Sequence, residues 1–144
     1  MHKRAIPLFL FLSVFCAGSF AAGKKVLTPP GTAPNRPFSA GLQVGDTIYV
    51  SGMTAGSSIP DSFEEEVQKT LDNINGVLKL GGATLADAVS VQVYLTDMSL
   101  FPRMNTVYMK NFQEPRPTRT TVGVTKLAGT AHIEITVTAR KTKK

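Results

Sequence analysis

Phe63, Val67, Leu71, Ile74 and Leu78 recur three or four residues apart, and that spacing constrains the chain more than any other feature. It draws one apolar stripe along a helix, which is stable only when a second surface covers it. Ser62-Phe63-Glu64-Glu65 has the spacing of a capping box, in which the serine hydroxyl accepts the Glu65 amide and the glutamate reaches back. Glu64, Glu65 and Glu66 favour the positive helix end, and Gly81-Gly82 can form a left-handed stop, so the spacing predicts a helix over residues 63–80. The covering surface is a sheet. Residues 88–95 alternate apolar and polar side chains with period two, the pattern of a strand buried on one face.

The remaining elements follow from similar signals. Residues 38–44 and 47–52 read as strands joined by a Gly45-Asp46 hairpin turn. Asp97 or Ser99 caps a second helix that carries Pro102 in its first turn and buries Met104, Tyr108 and Phe112. Residues 118–124 and 132–139 make two final strands. The expected fold is one α/β (α+β) domain of order ββαβαββ, over residues 37–144, with two helices on one face of a five- to six-stranded mixed sheet. Too few helices exist to cover both faces, so the bare face is expected to be buried against further copies of the chain.

Residues 1–21 read as a signal peptide. Lys3 and Arg4 precede an apolar run, and Ser19 and Ala21 place cleavage after Ala21. The run over residues 5–15 is shorter than the roughly 20 residues a spanning helix needs, which favours export to a periplasmic or external space over a membrane anchor. The single cysteine, Cys16, lies in that leader, so the exported chain has neither a disulfide nor a thiol nucleophile. Cleavage also removes Lys3 and Arg4, leaving 14 Lys+Arg against 10 Asp+Glu, a formal charge of +4. Much of that charge sits at the ends, in Lys24-Lys25 and in Arg140, Lys141, Lys143 and Lys144, where solvated termini are the simpler reading than a nucleic-acid patch. Residues 22–36, with three prolines, read as an extended arm.

The chemistry is bounded by what is missing. The sequence contains no Walker loop, Rossmann glycine run, HExxH, CxxC or G-x-S-x-G elbow. His132, the one histidine outside the leader, reads as a surface or satisfied residue. A polar cluster remains: Arg116-Pro117-Thr118-Arg119-Thr120-Thr121 enters one strand, and Glu134 stands between Ile133 and Ile135 in the next. On spacing alone a structural account is favoured, either an Arg119–Glu134 ion pair or a glutamate on the solvated face, because a carboxylate between isoleucines is costly to bury without a partner.

The stretch Pro117-Thr118-Arg119-Thr120-Thr121-Val122-Gly123-Val124, with Leu127 and Ile133-Glu134-Ile135 after it, resembles the C-terminal signature of the RidA/YjgF reactive-intermediate deaminase family. Gly41-Leu42, Val50-Ser51-Gly52, Leu71-Asp72-Asn73, Gly81-Gly82-Ala83, Val91 to Asp97 and Met104 to Tyr108 are similar to that family in its order, over about residues 34 to 140. The resemblance implies a chorismate-mutase-like homotrimer with active sites between subunits. It implies hydrolysis of enamines and imines such as 2-aminoacrylate to 2-keto acids and ammonia, with no cofactor and no metal. By the same resemblance Arg119 holds the substrate carboxylate and Glu134 positions water, while Phe38, Ser51, Gly52, Asn105, Thr120 and Thr121 line the substrate site. Phe38 stands where the family has a pocket tyrosine, and Thr121 where it commonly has a cysteine. A non-catalytic trimer that binds small carboxylates is the alternative. Ribonuclease chemistry ranks last, since no histidine pair or metal motif serves a phosphodiester.

Overall fold

The computed structural model describes residues 23–142; the expected signal peptide and the last two lysines lie outside them. Six strands, β1 (Lys24–Leu27), β2 (Gly41–Val44), β3 (Thr47–Met53), β4 (Ala88–Leu95), β5 (Thr118–Gly123) and β6 (Ile133–Arg140), form one sheet in the order β1-β2-β3-β6-β4-β5. Only the β4–β5 pair is parallel. Helices α1 (Phe63–Leu80) and α2 (Phe101–Asn111) pack side by side on one face. Among the described residues no helix is long and apolar enough to cross a membrane.

Helix α1 forms where its stripe demands it. The Ser62 hydroxyl accepts the Glu65 amide at 3.2 Å, although no return bond from the Glu65 carboxylate is present among the described residues. At the other end Ala83 N–H donates to Leu78 O and Gly82 N–H to Lys79 O, both at 3.0 Å. This is a Schellman stop, and Gly82, at φ 75°, takes its left-handed position. Val67, Leu71, Ile74, Val77 and Leu78 are fully buried against Ile48, Val50, Val91, Val93, Leu95, Ile133, Ile135 and Val137 of the sheet. Each such aliphatic side chain contributes about 1.5–3 kcal/mol.

Four boundaries differ from expectation. Lys24–Leu27, assigned to the arm, is the edge strand β1: Leu27 is only 2% exposed and belongs to the core, and the strand ends before Pro29-Pro30. Strand β2 starts at Gly41 rather than Phe38, because Pro37 and the bends at Phe38 and Ala40 keep residues 38–40 out of the ladder. Asp97 caps a short 3-10 turn, Met98–Leu100, and α2 begins after it with Pro102 in its first turn. His132 precedes β6 and does not join it.

The face away from the helices is open. Val26, Leu42 and Tyr49 lie in register across β1, β2 and β3 on that face, and Tyr94 and Val122 do so across β4 and β5. Tyr49 is 50% exposed, Val26 56% and Val122 41%. The expected bare face is therefore present, with these apolar residues in two rows on either side of the polar Gln92, Thr136 and Thr138.

Candidate active site

Glu134 and Arg119 leave the sheet in opposite directions. In β6 the residues on either side of Glu134, Ile133 and Ile135, are buried under the helices, so the carboxylate emerges on the open face, opposite Tyr94. In β5 Arg119 is in register with the buried Val91, which puts it on the helix side. The two are separated by two strand spacings and by three residues along β4, or about 10 Å in each direction. The ion pairs among the described residues are Arg103–Glu64, Arg116–Glu114 and His132–Glu66. The intramolecular Arg119–Glu134 pair that sequence spacing allows does not form, because odd and even positions of neighbouring strands face opposite ways.

Each residue sits in its own half-site. Glu134 lines a cavity of about 570 Å³ together with Phe38, Ser51 and Gly52, and with Arg36 and Asn73 among others. The ladder between β3 and β6 slips between Val50 and Met53, and this bulge presents Gly52 to the carboxylate. A β-carbon on Gly52 would fall on the Glu134 carboxylate, 2.8 Å from its Cδ. Ser51 holds the wall: its hydroxyl donates to Ser39 O at 2.7 Å and its amide to Ala40 O at 3.0 Å, anchoring the segment that carries Phe38. Asn73 reaches from α1 to donate to Thr54 O at 3.0 Å and fixes the chain after β3.

The second half-site lies between α2 and the free edge of β5. The Arg119 guanidinium stands 4.5 Å from the centre of the Tyr108 ring and 5.4 Å from that of Phe101, with its Nη1 3.8 Å from the Met104 sulfur. Phe101, Met104 and Tyr108 recur at helical spacing, so one face of α2 forms an aromatic and thioether bed for the cation. Asn105 is half-buried one residue from Met104. Thr121 shares the Arg119 side of β5, whereas Thr120 points to the open face. The Tyr108 and Thr121 hydroxyls are buried without a hydrogen-bond partner. Burial pushes the Tyr108 phenol above its usual range against the opposing pull of Arg119 and Arg116, so it remains a neutral donor.

Sequence reasoning assigned Tyr108 and Met104 to the buried stripe but missed their contact with Arg119, which depends on how α2 lies on β5. It also passed over Arg36, a member of the Glu134 cavity that stacks 4.4 Å from the Phe38 ring centre. The sequence reading gives Glu66 only the role of a first-turn acid at the positive helix end. Glu66 is 1% exposed, and its carboxylate accepts the His132 amide at 2.7 Å and contacts the His132 ring Nδ1 at 2.8 Å. The signal was available, since Glu66 lies three residues after Phe63 and four before Thr70, both buried. A separate cleft of about 440 Å³ is lined by Asp87, Glu114, Arg116 and Arg140. Its Glu114 is engaged by Arg116 and its Asp87 by Thr84 and Thr142.

Comparison with known proteins identifies the family. The family model described as Endoribonuclease L-PSP matches residues 30–141. A RutC family protein of Saccharolobus solfataricus is 38% identical over 121 residues, covering 81% of this chain and 96% of its own. A 2-iminobutanoate/2-iminopropanoate deaminase of Dermatophagoides farinae is 33% identical over 115 residues, covering 76% and 90%. Among solved structures, RidA from an Antarctic Psychrobacter superposes with a TM-score of 0.72 at 28% identity, over 80% of this chain and 94% of that one. On these matches and this fold, the chain belongs to the RidA/YjgF (RutC) family, whose sequence model carries the endoribonuclease L-PSP description.

Proposed function

We propose that the protein hydrolyses reactive 2-imino acids and their enamine tautomers, and that its active site is completed between copies of the chain in a homotrimer. The carrying observation is the division of the site: Glu134 in a cavity on the open face, Arg119 on the helix side at the sheet edge, each without an ionic partner among the described residues. A second copy covering the open face brings an arginine edge to a glutamate cavity. The partnerless Tyr108 and Thr121 hydroxyls beside Arg119 support this reading, because an unsatisfied buried donor costs about 1–3 kcal/mol unless something outside the chain completes it.

The planar Arg119 fork takes the substrate carboxylate through two parallel hydrogen bonds and so orients the imine carbon toward the glutamate of the other copy. Glu134 aligns a water and accepts its proton as the oxygen bonds to that carbon. The resulting carbinolamine collapses to the ketone when the proton passes to nitrogen and the C–N bond breaks. For the protonated imine the reaction is R–C(=NH2+)–COO− + H2O → R–CO–COO− + NH4+. Positioning and general base catalysis are sufficient for so electrophilic a carbon. Backbone groups along the free edge of β5 near Thr121 are placed to hold the imine nitrogen, with Asn105 and Thr120 at the border of the site.

A competition assay tests the reading. An amino-acid oxidase generates imines while semicarbazide traps what is not hydrolysed. The protein is expected to suppress trapping, and Arg119→Ala and Glu134→Ala each to lose about a hundredfold or more of that activity while remaining folded. Inactivity toward all imines, with retained carboxylate binding, would replace the enzyme by a carboxylate-binding trimer. The nuclease named in the family description has less support here, since Glu66 engages His132 and no second histidine lies among the described residues. Export is part of the proposal: N-terminal sequencing of protein recovered outside the cytoplasm is expected to begin at Ala22.

A further inference from the structure

Among the described residues Arg36 supplies the one positive charge in the Glu134 cavity. It lies in the segment Pro34-Asn35-Arg36-Pro37, where Asn35, at φ 59°, turns the chain between the two prolines. Its guanidinium is stacked 4.4 Å from the centre of the Phe38 ring and takes part in no hydrogen bond or ion pair among the described residues. A cation seated over a ring in this way keeps guanidinium donors available for a carboxylate. Phe38 has no hydroxyl, so its ring serves the cation as a platform and offers the substrate no hydrogen bond of its own.

From this arrangement, and resting on the proposed imine hydrolysis, we infer that Arg36 selects substrates whose side chain carries a second carboxylate, the 2-imino dicarboxylic acids. Arg119 of one copy occupies the C1 carboxylate, and Glu134 of the other faces C2. The side chain then extends within the cavity that holds Glu134. An acidic side chain placed there beside Glu134 alone would be repelled. Arg36 reverses that preference by offering a two-pronged donor site to the carboxylate in the same cavity. A side-chain amide of the same shape meets the same walls without the charge.

Isosteric pairs isolate the effect. Imines generated from aspartate and asparagine, and from glutamate and glutamine, are compared in the trapping assay, with the ratio of kcat/KM within each pair as the readout. The protein is expected to favour the acid about tenfold or more, Arg36→Gln to bring the ratio near one, and Arg36→Lys to fall between, since lysine keeps the charge and loses the fork. A ratio near one in the unaltered protein, or a preference that survives Arg36→Gln, overturns the assignment. Calorimetric titration with succinate and its monoamide asks the same question without turnover. If no imine is hydrolysed, the deaminase reading falls and this titration alone judges Arg36: tighter succinate binding erased by Arg36→Gln upholds it, and equal binding of the two ligands overturns it.

Discussion

At position 52 the presence or absence of one carbon decides whether the glutamate can stand where it does. Gly52 leaves the bulge in β3 open, and the Glu134 carboxylate fills the space a side chain would take. Gly52→Ala is therefore expected to displace that carboxylate by an ångström or more and to lower kcat about a hundredfold, since misplacement on that scale disrupts a near-attack geometry. The melting transition should move far less than the activity. Unaltered kcat in Gly52→Ala would show that the carboxylate position is not critical.

At the level of elements, buried and exposed carboxylates of the first turn of α1 do different work. Glu66 ties α1 to the start of β6 through the His132 amide and ring. Glu66→Ala removes the acceptor and is expected to cost about 1–3 kcal/mol in urea unfolding, with Glu66→Gln costing less because an amide oxygen can still accept. Glu64 instead forms a forked pair with Arg103 of α2, at 2.7 and 2.6 Å, and the hydrogen bond from Arg103 lowers its pKa from the usual 4.5 to about 2. A depressed carboxylate pKa stabilises the fold above the unfolded value and loses that contribution as pH falls through the folded one. The difference in urea midpoint between the protein and Glu64→Gln should accordingly be constant above about pH 5 and shrink to nothing toward pH 2. A pH-independent difference would mean the pair does not couple α1 to α2.

On the proposed function, one chain carries two half-sites that a second copy completes. The row Val26, Leu42 and Tyr49 gives part of the open face an apolar surface, and the half-sites lie on opposite sides of the sheet. Tyr49→Glu puts a charge in that row without touching the helix-side core. It is expected to yield a folded monomer by sedimentation and to abolish hydrolysis with Arg119 and Glu134 intact. A Tyr49→Glu monomer that still turned over imines would sink the shared site.

Local signals in the sequence were enough for most of the architecture. The stripe on α1, the cap at Ser62, the glycine stop at residues 81–82 and the alternation of β4 are local signals, carried by residues within a turn or two of one another, and each appears in the fold. The count of two helices against one sheet already implied an uncovered face. The motif around Arg119 and Glu134 named the family but left open whether the two meet within the chain. Only the tertiary structure decided that they do not, because the face on which a strand residue emerges depends on register with strands distant in sequence: β5 aligns Arg119 with Val91, and β6 aligns Glu134 with Tyr94. The same holds for β1, whose four residues carry too weak a pattern to be read without the partner strand β2, and for Arg36, which joins the Glu134 cavity through the fold of its loop rather than through any spacing in the sequence.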